Sequence, residues 1–119
     1  MKIAVTADGT TLSNVVTEEF ATCKYLLIVD METLNVVAVE NPGDATGVIL
    51  INEVIKQGCE AVITGALTSE AFELLVSACV TRYYGIGYAV KKALALMESY
   101  ELKLIRNPEG TDKCEGTHH

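Results

Sequence analysis

The segment Gly47-Val48-Ile49-Leu50-Ile51-Asn52-Glu53-Val54-Ile55-Lys56-Gln57-Gly58-Cys59-Glu60-Ala61-Val62-Ile63-Thr64-Gly65 carries the transition on which the fold depends. Val48, Ile51 and Ile55, joined by Leu50 and Val54, form an apolar stripe at helical spacing, while Asn52, Glu53, Lys56 and Gln57 face away. Gly58 stands where a helix C-terminal cap belongs. Ala61–Thr64 then reads as a short buried strand closed by Gly65. A helix feeding such a strand predicts a right-handed crossover between parallel strands.

Upstream the pattern is strand-like throughout. Lys2–Thr6 is short, apolar and partly β-branched, and it enters the polar loop Ala7-Asp8-Gly9-Thr10-Thr11-Leu12-Ser13-Asn14. Tyr25–Asp30 and Val36–Glu40 flank Met31-Glu32-Thr33-Leu34-Asn35, a spacing that predicts a hairpin with Asn35 in the left-handed conformation. Asn41-Pro42-Gly43-Asp44 ends the run. Downstream, Ala71, Leu74, Leu75, Ala78 and Cys79 predict a second helix with one buried face, capped by Thr68 or Ser69 and favoured by Glu70 in its first turn. Val80–Tyr84 reads as the last strand, ending at Gly85-Ile86-Gly87, and a final helix turns Val90, Ala93, Leu94 and Met97 inward. The order is β-β-β-α-β-α-β-α. It predicts one α/β domain over residues 1–107, with a five-stranded mixed sheet covered by helices on both faces. Residues 108–119 read as a polar, mobile tail.

The chain has 119 residues, half of them hydrophobic, which suits a single core. A net charge of −7 argues against a nucleic-acid partner, which would call for clustered Lys and Arg. No run approaches the roughly 20 apolar residues of a membrane span, and no secretory leader precedes the first strand. Four cysteines without CxxC spacing predict a reducing, cytoplasmic setting.

Open α/β sheets place ligands at the carboxyl ends of their parallel strands. The loops there are Ala7–Asn14, Gly65–Ser69 and Gly85–Tyr88, two of which enter helix N-termini that favour an anion. Gly65, Gly85 and Gly87 have two readings, part of such a cradle or simple tight turns. Cys23 likewise reads as a soft metal ligand or as a small buried hydrophobe. Cys59 and Cys79 read as core residues. Cys114, His118 and His119 form a second soft-ligand group, unless the two histidines are the remnant of a purification tag. With both histidines terminal, no domain-bound imidazole can serve Ser13, Ser69, Ser77 or Ser99 in a nucleophilic relay. Asp8 alone does not make a two-metal hydrolytic site.

The order of elements from Lys2–Thr6 through Phe20, Cys23 and the paired runs to Asn41-Pro42 resembles the opening of the dinitrogenase iron-molybdenum cofactor biosynthesis family, the NifX-type proteins and the carboxy-terminal domain of NifB. Later markers are Glu40-Asn41-Pro42, Ile63-Thr64-Gly65, Ala71-Phe72 and Glu101-Leu102-Lys103. Thr17-Glu18-Glu19-Phe20-Ala21-Thr22 aligns with the family's Ser-Pro-His-Phe-Gly element. Phe20 is kept, Glu19 replaces the histidine and Ala21 replaces the glycine. The resemblance implies a ribonuclease H-like, three-layer fold with only the second strand antiparallel. It also implies a non-catalytic binding or carrier role for a metal–sulfur cluster, iron–sulfur or molybdenum-containing. The implied site is Asp8, Gly9, Thr10, Phe20, Cys23, Thr64, Gly65, Ser69, Gly85 and Gly87, with Cys23 as ligand and Asp8 and Thr10 orienting. If Cys23 points to a mouth between Gly65 and Gly85, a nearby helix N-terminus should lower its pKa. Cluster donor and acceptor proteins are the expected partners, for a monomer or weak homodimer. The alternative is a regulatory or scaffold domain that binds a protein and no metal.

Overall fold

Buried β-branched and leucine side chains on β2 (Tyr25–Asp30) give a central strand that pairs on both sides. It runs antiparallel to β1 (Lys2–Ala7) and to β3 (Val36–Glu40). The remaining elements are α1 (Val48–Lys56), β4 (Ala61–Thr64), α2 (Ser69–Ser77), β5 (Thr81–Tyr84), α3 (Val90–Glu98) and β6 (Lys103–Leu104). The computed structural model describes residues 1–108.

Six strands form one mixed sheet in the order β3-β2-β1-β4-β5-β6. β1, β4 and β5 are mutually parallel, and β6 is antiparallel to β5. This corrects the expected five strands with one antiparallel member. Lys103–Leu104, facing Tyr84 and Tyr83, is too short to show a period of two. α1 and α2 cover one face through Leu50, Ile51, Val54, Ala71 and Leu75, against Ala4, Leu26, Ile28 and Val62. α3 covers the other through Val90, Ala93, Leu94 and Met97, as its spacing predicts. Each such valine, leucine, isoleucine or methionine side chain removed from water contributes about 1.5–3 kcal/mol.

All three helices end in one motif. The amide two residues past the C-cap reaches back five positions, as in Cys59 N to Val54 O, Val80 N to Leu75 O and Glu101 N to Leu96 O. The motif requires a left-handed residue between, here Gly58 (φ 72°), Cys79 (φ 61°) and Tyr100 (φ 62°). Only the first announces itself in the sequence. The left-handed turn carries Cys79 out of the core, so the expected burial of Ala78 and Cys79 is corrected: both are exposed. In the hairpin the left-handed residue is Leu34 (φ 61°) and not Asn35. Leu34 N donates to Asp30 O and Asp30 N donates to Asn35 O.

Tyr100 is 90 % exposed and holds a conformation that costs an L residue about 1–2 kcal/mol. Tyr100→Gly is expected to stabilise the fold by about 1 kcal/mol in urea titration, despite glycine's greater unfolded-state entropy. A loss of stability would show that the ring makes a contact that matters.

Candidate functional site

The carboxyl ends of β1, β4 and β5 are closed by the chain itself. Val15–Phe20 crosses them as a strap, held by backbone bonds from every neighbour. Thr17 N donates to Thr6 O (3.1 Å), Val16 N to Tyr88 O (2.9 Å), Ala66 N to Glu18 O (2.8 Å) and Phe20 N to Ala66 O (2.8 Å). The Asp8 carboxylate accepts from Val15 N (3.1 Å) while Asp8 N donates to Val15 O (3.2 Å). Phe20 is fully buried in the α1–α2 core, so the strap is pinned by a ring as well as by its backbone.

This arrangement decides between the two readings of the glycines. A Cβ on Gly65 would overlap the Glu18 carbonyl oxygen, and one on Gly85 would lie 2.5 Å from Ile63 Cγ2. Both therefore admit the chain's own atoms, and no mouth opens between them. Gly87 (φ 90°) is a turn with open space beside it, and Gly9 adjoins the Asn14 side chain. Thr10 is exposed. The α3 N-terminus is likewise occupied: Val90 N donates to Asn14 O (2.8 Å) and Lys91 N to Leu12 O (2.9 Å). The expected anion site there is corrected on that ground. At α2, Thr68 is the cap, its hydroxyl accepting from Ala71 N (3.1 Å), and Ser69 is exposed at the first helical position. Thr64 is fully buried, its hydroxyl 2.6 Å from that of Thr6. The Thr6 hydroxyl lies 2.9 Å from that of Thr17, which donates to Glu19 O (2.9 Å).

Cys23 lies just beyond the strap, 3 % exposed. Burial pushes its thiol up to about 11, against hydrogen bonds that pull the other way, and burial also pushes Cys59 up to about 11. The condition for a lowered Cys23 pKa, a mouth between Gly65 and Gly85, is not met, and desolvation sets the direction instead. Asn41 holds this turn, its amide donating to Ala21 O (2.8 Å) and Cys23 O (2.7 Å), with Nδ2 3.9 Å from Cys23 Sγ. That places Asn41 of the Glu40-Asn41-Pro42 marker as the residue that positions Cys23, a role the sequence did not reveal.

Three depressions meet at Thr22. One, of about 490 Å³, is lined by Cys23, Lys24, Glu40 and Asn41 among others. A second, of about 510 Å³, runs along Asp8, Val15–Glu19, Ile86 and Gly87. A third, of about 200 Å³, joins Glu19 and Ala21 to Leu67 and Thr68 ahead of α2. The second carries Asp8, Glu18 and Glu19 and repels an anion. The first and third combine a thiol, a lysine and a helix N-terminus, with one carboxylate each, Glu40 and Glu19. Among the described residues no three His, Cys, Asp or Glu side chains converge to hold a metal ion, and Cys114, His118 and His119 lie outside those residues.

A mixed sheet of this order, covered by helices on both faces, places the chain among small three-layer α/β proteins. The family described as dinitrogenase iron-molybdenum cofactor matches residues 1–100, and the chain belongs to that family. The apo orange protein of Desulfovibrio gigas superposes with a TM-score of 0.82 at 24 % identity, covering 91 % of this chain and 95 % of that one. A protein from Thermotoga, described as NifB-type and of the DUF35 family, gives 0.77 at 30 % identity over 87 % and 92 %. A dinitrogenase-type protein of Methanocaldococcus jannaschii gives 0.70 at 24 % over 91 % and 97 %. Among curated proteins there is no match. No helix among the described residues is long and apolar enough to cross a membrane.

Three measurements check this geometry. Gly65→Ala must displace the strap and is expected to cost about 3 kcal/mol or more in denaturant titration, with faster amide exchange at Ala66 and Phe20. Among the three described cysteines, Cys79 is expected to alkylate first in native protein, with Cys23 and Cys59 slow. Because both buried thiols titrate higher folded than unfolded, their contribution is complete below about pH 9 and is lost towards about pH 11. Cys23→Ala is expected to flatten that decline, and an unchanged slope would show that Cys23 ionises freely.

Proposed function

We propose that this chain is a non-catalytic carrier of a metal–sulfur cluster, iron–sulfur or molybdenum-containing, received from a donor protein and passed to an acceptor in the reducing cytoplasm. The observation that carries this reading is the family match over residues 1–100. The strand order 3-2-1-4-5 supports the ribonuclease H-like description, with β6 as an addition. The cargo sits on the Cys23 side of the strap. Cys23 supplies a thiolate, Lys24 offsets negative charge, and Thr68 and Ser69 present the α2 N-terminus. Asp8, Gly9, Thr10, Phe20, Thr64, Gly65, Gly85 and Gly87 act by shaping the strap. A site with one thiol and no cage of ligands among the described residues suits cargo that must leave again. No hydrolytic step is assigned, since the Asp8 carboxylate is tied to Val15 N.

The same scarcity of ligands favours the second reading, a regulatory or scaffold domain that binds a protein partner. Anaerobic reconstitution with ferrous iron and sulfide, followed by metal analysis, separates the two. Wild type is expected to take up iron and sulfide, at a rate rising about tenfold per pH unit as the Cys23 thiolate fraction grows. Cys23→Ser is expected to lose most of that uptake and its pH dependence. Equal uptake by both proteins removes Cys23 from the site, and no uptake by wild type leaves the partner-binding reading.

A further inference from the structure

The two edges of the sheet are finished differently. β6 is two residues long and begins with Lys103, a blunted edge. β3, Val36-Val37-Ala38-Val39-Glu40, is five residues long, without lysine or proline, and Val37 is 56 % exposed. Its hydrogen-bonding phase is fixed by its neighbours. Asp30 N donates to Asn35 O and Asn41 N to Lys24 O, so Val37 and Val39, facing Ile28 and Leu26, spend their backbone groups on β2. On the other side of β2, Met31 N donates to Met1 O, the alternation this phase requires. The N–H and C=O groups of Val36, Ala38 and Glu40 therefore point away from the sheet.

We propose that this edge pairs antiparallel with β3 of a second copy of the chain, about a two-fold axis at Ala38. In that register Ala38 faces Ala38 and Val36 faces Glu40 of the other copy, and each of these pairs exchanges both backbone bonds. Val37 then faces Val39 of the other copy on the face that carries α1, covering the exposed valine with a like side chain. The small Ala38 sits where the two copies approach on the axis, and the single charge of the strand, Glu40, never meets its equivalent. Shifting the axis to Glu40 would set the two carboxylates opposite each other, and shifting it to Val36 would draw in the turn at Leu34. The self-complementary charge and apolar pattern selects the second copy over a foreign strand. A contact of five residues per strand falls short of the roughly 800 Å² per partner of a stable interface, so the pairing is reversible. Each chain carries −7, so screening of mutual repulsion strengthens it as salt rises.

Sedimentation equilibrium together with amide exchange tests this on the intact chain. Wild type is expected to show a dimer fraction that grows with concentration and salt. The amides of Val36, Ala38 and Glu40 slow as it grows, while those of Val37 and Val39 are protected throughout. Ala38→Pro removes an N–H the monomer does not use, so it should keep the fold and weaken association at least about tenfold. Val37→Lys, at an exposed position, should do the same and serves if the proline variant does not fold. A wild-type chain that stays monomeric up to about 1 mM, association that weakens with salt as for a basic partner, or dimerisation unchanged in both variants overturns the proposal.

Discussion

The contact between the Glu18 carbonyl and the backbone of Gly65–Ala66 is the constraint on which this molecule depends. Parallel strands end in a row of backbone groups that must find partners, and most proteins of this architecture leave that edge to loops and ligands. Here Val15–Phe20 supplies the partners. It approaches so closely that residue 65 must lack a side chain, and Phe20 then locks the strap into the core beneath α1. Once the strap is seated, the chain has a single route to β2, through the turn that contains Thr22 and Cys23.

From that route the character of the site follows. Cys23 is buried because the turn is drawn inward by Phe20 on one side and by the Asn41 amide on the other. Burial keeps its thiol protonated, so reactivity is withheld until something displaces the proton. The carboxylates Glu18 and Glu19 lie on the outer side of the strap, where they are solvated and cost little. The surface is thus divided by one short segment into an acidic groove and a thiol-bearing one that share only Thr22 as a rim.

Much of this architecture was legible in the sequence, because periodicity reports burial and burial follows layers. The helix over Val48–Lys56, the buried Ala61–Thr64 and the inward face of α3 all declared themselves. What did not show depended on contacts with no local signature. β6 is two residues that exist as a strand only because Tyr83 and Tyr84 are beside them. The left-handed Cys79 and Tyr100 obey a helix-end geometry that usually advertises itself with glycine. The strap was the largest omission. Its residues are polar and irregular, and the glycines it requires read equally well as a ligand cradle. Asn41 went unassigned because its partners, the carbonyls of Ala21 and Cys23, lie far back along the chain.

The hydroxyls of Thr6 and Thr64 meet in the interior on neighbouring parallel strands, with no other buried polar side chain in that core among the described residues. Thr64 is satisfied by Thr6, whereas Thr6 also has the Thr17 hydroxyl beside it. Losing the Thr6 oxygen therefore strands Thr64, while losing the Thr64 oxygen leaves Thr6 with a partner. The evolutionary consequence is an order of events. A lineage drifting towards an apolar version of this core gives up the hydroxyl at position 64 first, and one that regains it must already hold Thr6.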